Sequence, residues 1–132
     1  MSERMSPEII SRTVKDYFAA ICDLNADAWI NTFAEDAVDR DPVDAPAMNG
    51  HAEIRRFFEG LAGAFKEVKM TADHVFITGK GAAVKWTGTG TGKNGRSVRF
   101  EGIDIFEVND AGKIQKLWAY WNPQELMMQL QP

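Results

Sequence analysis

The chain has 132 residues, 45% apolar and 26% charged, with 15 Lys and Arg against 19 Asp and Glu. That balance suits one globular domain spanning 1–132 and is too short for two. No apolar run reaches the roughly 20 residues a membrane helix needs, the start from Met1 lacks the apolar stretch of a secretory signal, and the single cysteine, Cys22, excludes an internal disulfide. A cytoplasmic location without a membrane partner is the expectation. Residues 1–65 carry 12 acids and 6 bases and residues 66–132 carry 7 acids and 9 bases, with no polybasic run. Nucleic acid is therefore not an expected partner.

Ser6-Pro7 reads as an N-cap with proline at the first helical position. Ile10, Val14, Tyr17/Phe18 and Ile21 then follow at steps of three and four, one face of a helix. Asn25 can cap a shorter second helix carrying Trp29, Ile30 and Phe33. The acidic stretch Glu35 to Asp44, broken by Pro42, reads as a short strand and loop. A third helix starts near Gly50 with Glu53 in the reach-back position of a capping box, and carries Ile54, Phe57/Phe58, Leu61 and Phe65.

Beyond residue 66 the period becomes two. Val68, Met70, Ala72, His74 and Phe76 alternate with more polar neighbours. Gly79-Lys80-Gly81 turns into a strand over 82–92, Asn94-Gly95 is a hairpin signal leading to 97–108, and Asn109 to Gly112 turns into 113–122. The tail from Pro123 to Pro132 has room for one helical turn around Leu126-Met127. Helices followed by an antiparallel meander make an α+β domain with the helices on one face of the sheet.

The last two strands are apolar on both faces. Phe100, Gly102, Asp104 and Phe106 share one face and Ile103 and Ile105 the other; Leu117, Ala119 and Trp121 oppose Ile114, Trp118 and Tyr120. Helices can cover only one face, so a homodimer through the other is expected.

Phosphate-loop, zinc-protease, CxxC and nucleophile-elbow motifs are all missing. Gly88-Thr-Gly-Thr-Gly92 sits within a strand, and neither His51 nor His74 has ligands placed by spacing, so no metal site is expected. Asp104 lies on an apolar strand face, where a carboxylate must be paired, hydrogen-bonded or neutral. Burial would raise its pKa and make it a donor; a lysine, a backbone amide or an open sheet edge would instead leave it structural. Asp41 precedes Pro42, which favours an extended backbone, and alone reads as a turn carboxylate. Tyr17 on the first helix needs a partner for its hydroxyl if buried.

Taken together, Asn25 to Ala37, Asp41-Pro42 with Asn49-Gly50 and Ile54, and Gly102 to Gln115 running on to Ala119-Tyr-Trp121 resemble the nuclear-transport-factor-2-like superfamily, in its steroid delta-isomerase (ketosteroid isomerase) and SnoaL-like branch. The resemblance implies a cone-shaped, curved antiparallel sheet with N-terminal helices on one face, enclosing an apolar pocket for a small hydrophobic molecule. It further implies Asp41 as a base, Tyr17 and protonated Asp104 as an oxyanion hole, and no cofactor. Phe33 and Phe58 stand where some isomerases have supporting tyrosines, and Trp86 to Gly92 with Val98 to Asp104 looks more like SnoaL-like proteins, polyketide cyclases included.

Phe33, Phe58, Trp86, Phe106, Leu117, Ala119 and Trp121 are the candidate pocket walls, while Trp29, Phe57 and Phe65 read as core. Hairpin register bears on the site. A two-residue Asn94-Gly95 loop pairs Lys85 with Asp104 and would hold it ionised. A three-residue loop, Lys93-Asn94-Gly95, sends Val84 and Trp86 inward, and is favoured because it keeps the ammonium out of an apolar cavity.

Overall fold

A computed structural model describes residues 6–131. The start of the N-terminal stretch read for a signal, as far as Met5, and Pro132 at the end of the tail lie outside them. Helix α1 (Pro7–Cys22) begins as its sequence dictates: Ser6 Oγ accepts from the Glu8 N–H at 3.2 Å, and Ile10, Val14, Tyr17 and Phe18 are buried. Asn25 caps α2 (Ala26–Ile30) through the Ala28 N–H. This helix stops before Phe33, which opens strand β1 (Phe33–Arg40) instead of extending the helix. A two-residue β2 (Met48–Asn49) precedes α3 (Gly50–Ala62), where Glu53 reaches back to the Asn49 N–H at 2.8 Å. Phe65, expected on α3, begins β3 (Phe65–Thr78).

Strands β4 (Gly81–Gly92), β5 (Ser97–Val108) and β6 (Ile114–Trp121) complete the meander, followed by α4 (Pro123–Leu130), two turns where the sequence suggested one. The six strands lie in the order β2-β1-β6-β5-β4-β3. The β3–β6 meander is antiparallel, and β1 joins parallel to β6, so the α+β sheet is mixed. Helices α1 and α3 pack against it through β3 and β1. Among the described residues no helix is long and apolar enough to cross a membrane.

Two irregularities overturn simple alternation. The β3–β4 register shifts between Ala72 and His74, and beyond that point the phase reverses, so Phe76 faces solvent at 71% exposure. A second shift, between Glu107 and Val108, pairs Val108 with Ile114 and turns Ile114 into the core. Ile114 therefore does not belong with Trp118 and Tyr120 on the outer face. Elsewhere that face stays apolar: Ile103 and Tyr120 are exposed, while Ile105 and Trp118 are half-buried.

The β4–β5 hairpin closes through a three-residue loop. Gly92 and Arg96 flank Lys93-Asn94-Gly95, Gly92 N–H donates to the Arg96 carbonyl at 2.8 Å, and Gly95 has φ +85°. Glycine meets that left-handed requirement without a Cβ clash. The resulting register pairs Val84 with Asp104 and Lys85 with Ile103. Val84 and Trp86 are buried inward, and the Lys85 ammonium lies outside with Asp73 and Glu101 at 3.5 and 3.0 Å.

Candidate active site

The inner face of β1, β6 and β5 positions the acids. Residues i and i+2 of a strand share a face, so Asp39 and Asp41 project to the same side. Asp39 pairs with Leu117 on β6, and Leu117 with Phe106 on β5. One step further along, Asp104 pairs with Ala119, whose carbonyl accepts from the Val43 N–H at 3.0 Å. The end of β1 is thus tied to the same rung that carries Asp104.

A cavity of about 570 Å³, its open mouth included, lies between this face and the helices. Tyr17, Asp41 and Asp104 all line it, so the three residues singled out from the sequence come together. Phe58, Trp86 and Trp121 also line it. Phe33, Phe106, Leu117 and Ala119 do not; they are buried in the packing behind the cavity, Phe33 against Trp29 and Phe106 against Tyr17. Conversely Trp29, Phe57 and Phe65, read as core, form part of the wall. These exchanges share a cause. Strand alternation identifies which side chains point inward, but not where the helices lift away from the sheet.

The Trp121 Nε1–H donates to Asp41 Oδ1 at 2.6 Å. Burial pushes the Asp41 carboxyl up to about 6, with the bonds from Trp121 and Asp39 pulling it back. Asp104 is 2% exposed, and burial holds its carboxyl well above the usual carboxylate range, reinforced by the charge of Asp41. Nearby Trp86 and Tyr17 act against that shift; Trp86 Nε1 itself has no well-formed hydrogen bond. Burial, then the charges of Asp104 and Asp41, also raises the Tyr17 hydroxyl well above its ordinary value. Burial thus disfavours the charged form of all three groups, and the bonds to Asp41 make it the one held back toward the ionised side. Among the described residues no lysine, arginine or histidine lines the cavity.

Sequence reasoning missed Asp39. It is 0% exposed, and neither oxygen has a partner under ordinary carboxylate geometry. The signal was present: Asp39 occupies the inward phase of a strand whose neighbouring Ala37 is fully buried. It was hidden by the acidic composition of the segment. Gly102 is a second omission. A Cβ there would lie 2.5 Å from the Tyr120 carbonyl and 2.7 Å from both the Trp86 ring and Trp121 Cβ, so glycine lets β6 and the Trp86 ring close over the strand.

A model of the SnoaL-like domain matches residues 14–117. The chain belongs to the SnoaL-like family. Within the nuclear-transport-factor-2-like superfamily, this SnoaL-like chain is 29% identical over 124 residues to a steroid delta-isomerase of Nocardioides simplex, covering 94% of the chain and 98% of that protein. Its fold is similar, with a TM-score of 0.79, to SalBIII, an epoxide hydrolase/cyclase-like enzyme described in pyran ring formation in the polyether salinomycin. That match has 26% identity and covers 89% of this SnoaL-like chain and 94% of SalBIII.

Proposed function

We propose that the protein is an isomerase that moves a proton next to a carbonyl on a small hydrophobic ketone. The observation carrying this reading is the convergence of Tyr17, Asp41 and Asp104 on one aromatic cavity that has no cation on its wall among the described residues. In the forward step the Asp41 carboxylate takes a proton from the carbon beside the carbonyl. The electron pair left behind forms an enolate, and its charge settles on the oxygen, where the Tyr17 hydroxyl and the Asp104 carboxylic acid donate. Asp41 then returns the proton to a different carbon. Trp121 holds the carboxylate in place throughout, and the apolar walls strengthen each electrostatic contact by excluding water.

The test follows a β,γ-unsaturated ketosteroid to its conjugated isomer by ultraviolet absorbance. Wild type turns over, and Asp41→Asn loses about 10³-fold or more in kcat. Absence of turnover in wild type removes the steroid assignment; full activity in Asp41→Asn removes the base.

A second reading draws on the opposed protonation of Asp41 and Asp104 and on the likeness to SalBIII. In a cyclase, Asp41 removes a hydroxyl proton, the alkoxide oxygen bonds to an epoxide carbon as the bond from that carbon to the epoxide oxygen breaks, and Asp104 protonates the released epoxide oxygen. Turnover of a hydroxy-epoxide but not of the ketosteroid selects this reading. A non-catalytic ligand-binding module would bind either compound and turn over neither. The exposed apolar strip of Ile103 and Tyr120 also supports a homodimer through the outer sheet face, tested by sedimentation of wild type and Tyr120→Glu. A cytoplasmic location remains part of the proposal and is tested by fractionation.

A further inference from the structure

Asp39 is the buried acid that the proposed chemistry leaves unused. It does not line the cavity, so it touches no substrate there. It is nevertheless fully enclosed, with both oxygens unpartnered as carboxylate acceptors. An isolated carboxylate in such a place is costly, and the cost disappears when the group is neutral and donates its proton to a suitable acceptor. Most groups around it are apolar, and two acids, Asp41 and Asp104, face it. On β6 its partner is Leu117, on β2 it is Met48, α3 turns Ile54 and Phe58 inward, and β5 contributes Phe106 and Asp104. Tyr17 lies on α1, and no cation is present in this buried set. Asp41, two residues along the same face, is within hydrogen-bonding reach of Asp39, and its Oδ1 already accepts from Trp121.

We propose that Asp39 is a positioning residue for Asp41: the two carboxyl groups share one proton, carried on Asp39 and donated to the Asp41 carboxylate. Asp41 is then clamped between two donors, an indole N–H from the cavity wall and a carboxylic acid from behind. The clamp fixes the orientation of the carboxylate and favours its ionised form at neutral pH. The direction of the electrostatics agrees, with Asp39 pushed up to about 10, first by burial and then by the charges of Asp41 and Asp104. The two groups titrate as a pair, so loss of either alters the other.

This inference rests on Asp41 being the base, and its test separates the two ideas. The full chain, labelled with ¹³C at the aspartate carboxyl carbons, is titrated by NMR as wild type, Asp39→Val and Asp39→Asn. Valine removes the donor while filling similar space; asparagine keeps a neutral donor. In wild type, Asp39 stays protonated at pH 8 while Asp41 ionises near pH 6. In Asp39→Val the Asp41 midpoint rises by roughly half to one pH unit, and Asp39→Asn restores most of it. The acid limb of kcat/KM on the ketosteroid moves in parallel, with kcat falling several-fold and KM little changed. An Asp41 midpoint identical in wild type and Asp39→Val overturns the inference, as does an Asp39 that ionises below pH 6. NMR coupling without turnover removes the isomerase reading alone, and turnover without coupling removes this one alone.

Discussion

Aspartates on the two faces of the same sheet behave in opposite ways. On the outer face, Asp73 accepts from Thr87 and lies beside Lys85; the bond from Thr87 and the nearby ammonium hold its carboxyl below the usual range. On the inner face, Asp104 pairs with Val84, the strand neighbour of Lys85, and is pushed the other way. One residue of register separates them. A sheet can thus favour the charged form of a carboxyl on one side and the neutral form on the other, provided the hairpin fixes which side receives the lysine.

The most severe way to break this contrast is to remove the inner acid. Asp104→Ala should lower kcat by about 10² to 10³-fold, the usual cost of one oxyanion donor, whereas Asp104→Asn, which keeps a neutral donor, should lose far less. Steady-state kinetics on the ketosteroid decide between them; equal losses would mean that the proton on Asp104 contributes nothing.

A smaller effect appears in the pH profile. With the Asp41 carboxyl at about 6, kcat/KM should fall about tenfold per unit well below pH 6 and level off near pH 7. A flat profile down to pH 4 would contradict the assignment of Asp41.

Stability should run against the usual carboxylate trend. Asp39, Asp41 and Asp104 hold their protons more tightly when folded than when unfolded. The native state therefore binds more protons once pH exceeds about 4, and unfolding free energy falls as pH rises. The Asp41 contribution is lost between about pH 4 and 6, and that of Asp39 continues downward toward pH 10. Calorimetry from pH 5 to 9 should show a declining melting temperature, less steep in Asp39→Val. The smallest effect belongs to the outer face. Lys85→Met should leave kcat unchanged and move the melting temperature by no more than about 2 °C, since its ion pairs are solvent-screened.

Much of the fold was legible because its signals are local. Ser6-Pro7, Asn25 and Glu53 cap the helices through hydrogen bonds that the sequence alone suggests. The length of the Lys93-Asn94-Gly95 loop followed from the cost of a buried ammonium. The misses came from non-local geometry. A register shift near Asp73 turned Phe76 outward, another drew Ile114 into the core, and Phe33 was claimed by β1 because its backbone pairs with Ile114 on a strand 81 residues later. In the site, Tyr17, Asp41 and Asp104 were found through a family pattern. Asp39 carried no such label, and only its enclosure distinguishes it from the solvated acids around it.

Gly102 gives the cavity an independent adjustment. Because the Trp86 ring and the β6 backbone close over a position with no side chain, the bore depends on atoms that are missing, not on Asp41 or Asp104. An added methyl at 102 would meet the Tyr120 carbonyl at 2.5 Å as well as Trp121 Cβ and the Trp86 ring at 2.7 Å, so β6 itself would have to shift, and moving Trp121 would also disturb its bond to Asp41. Displacing Trp86 alone leaves that bond intact. The Trp86 wall can therefore be reshaped without touching the Trp121–Asp41 bond, while the Trp121 wall cannot.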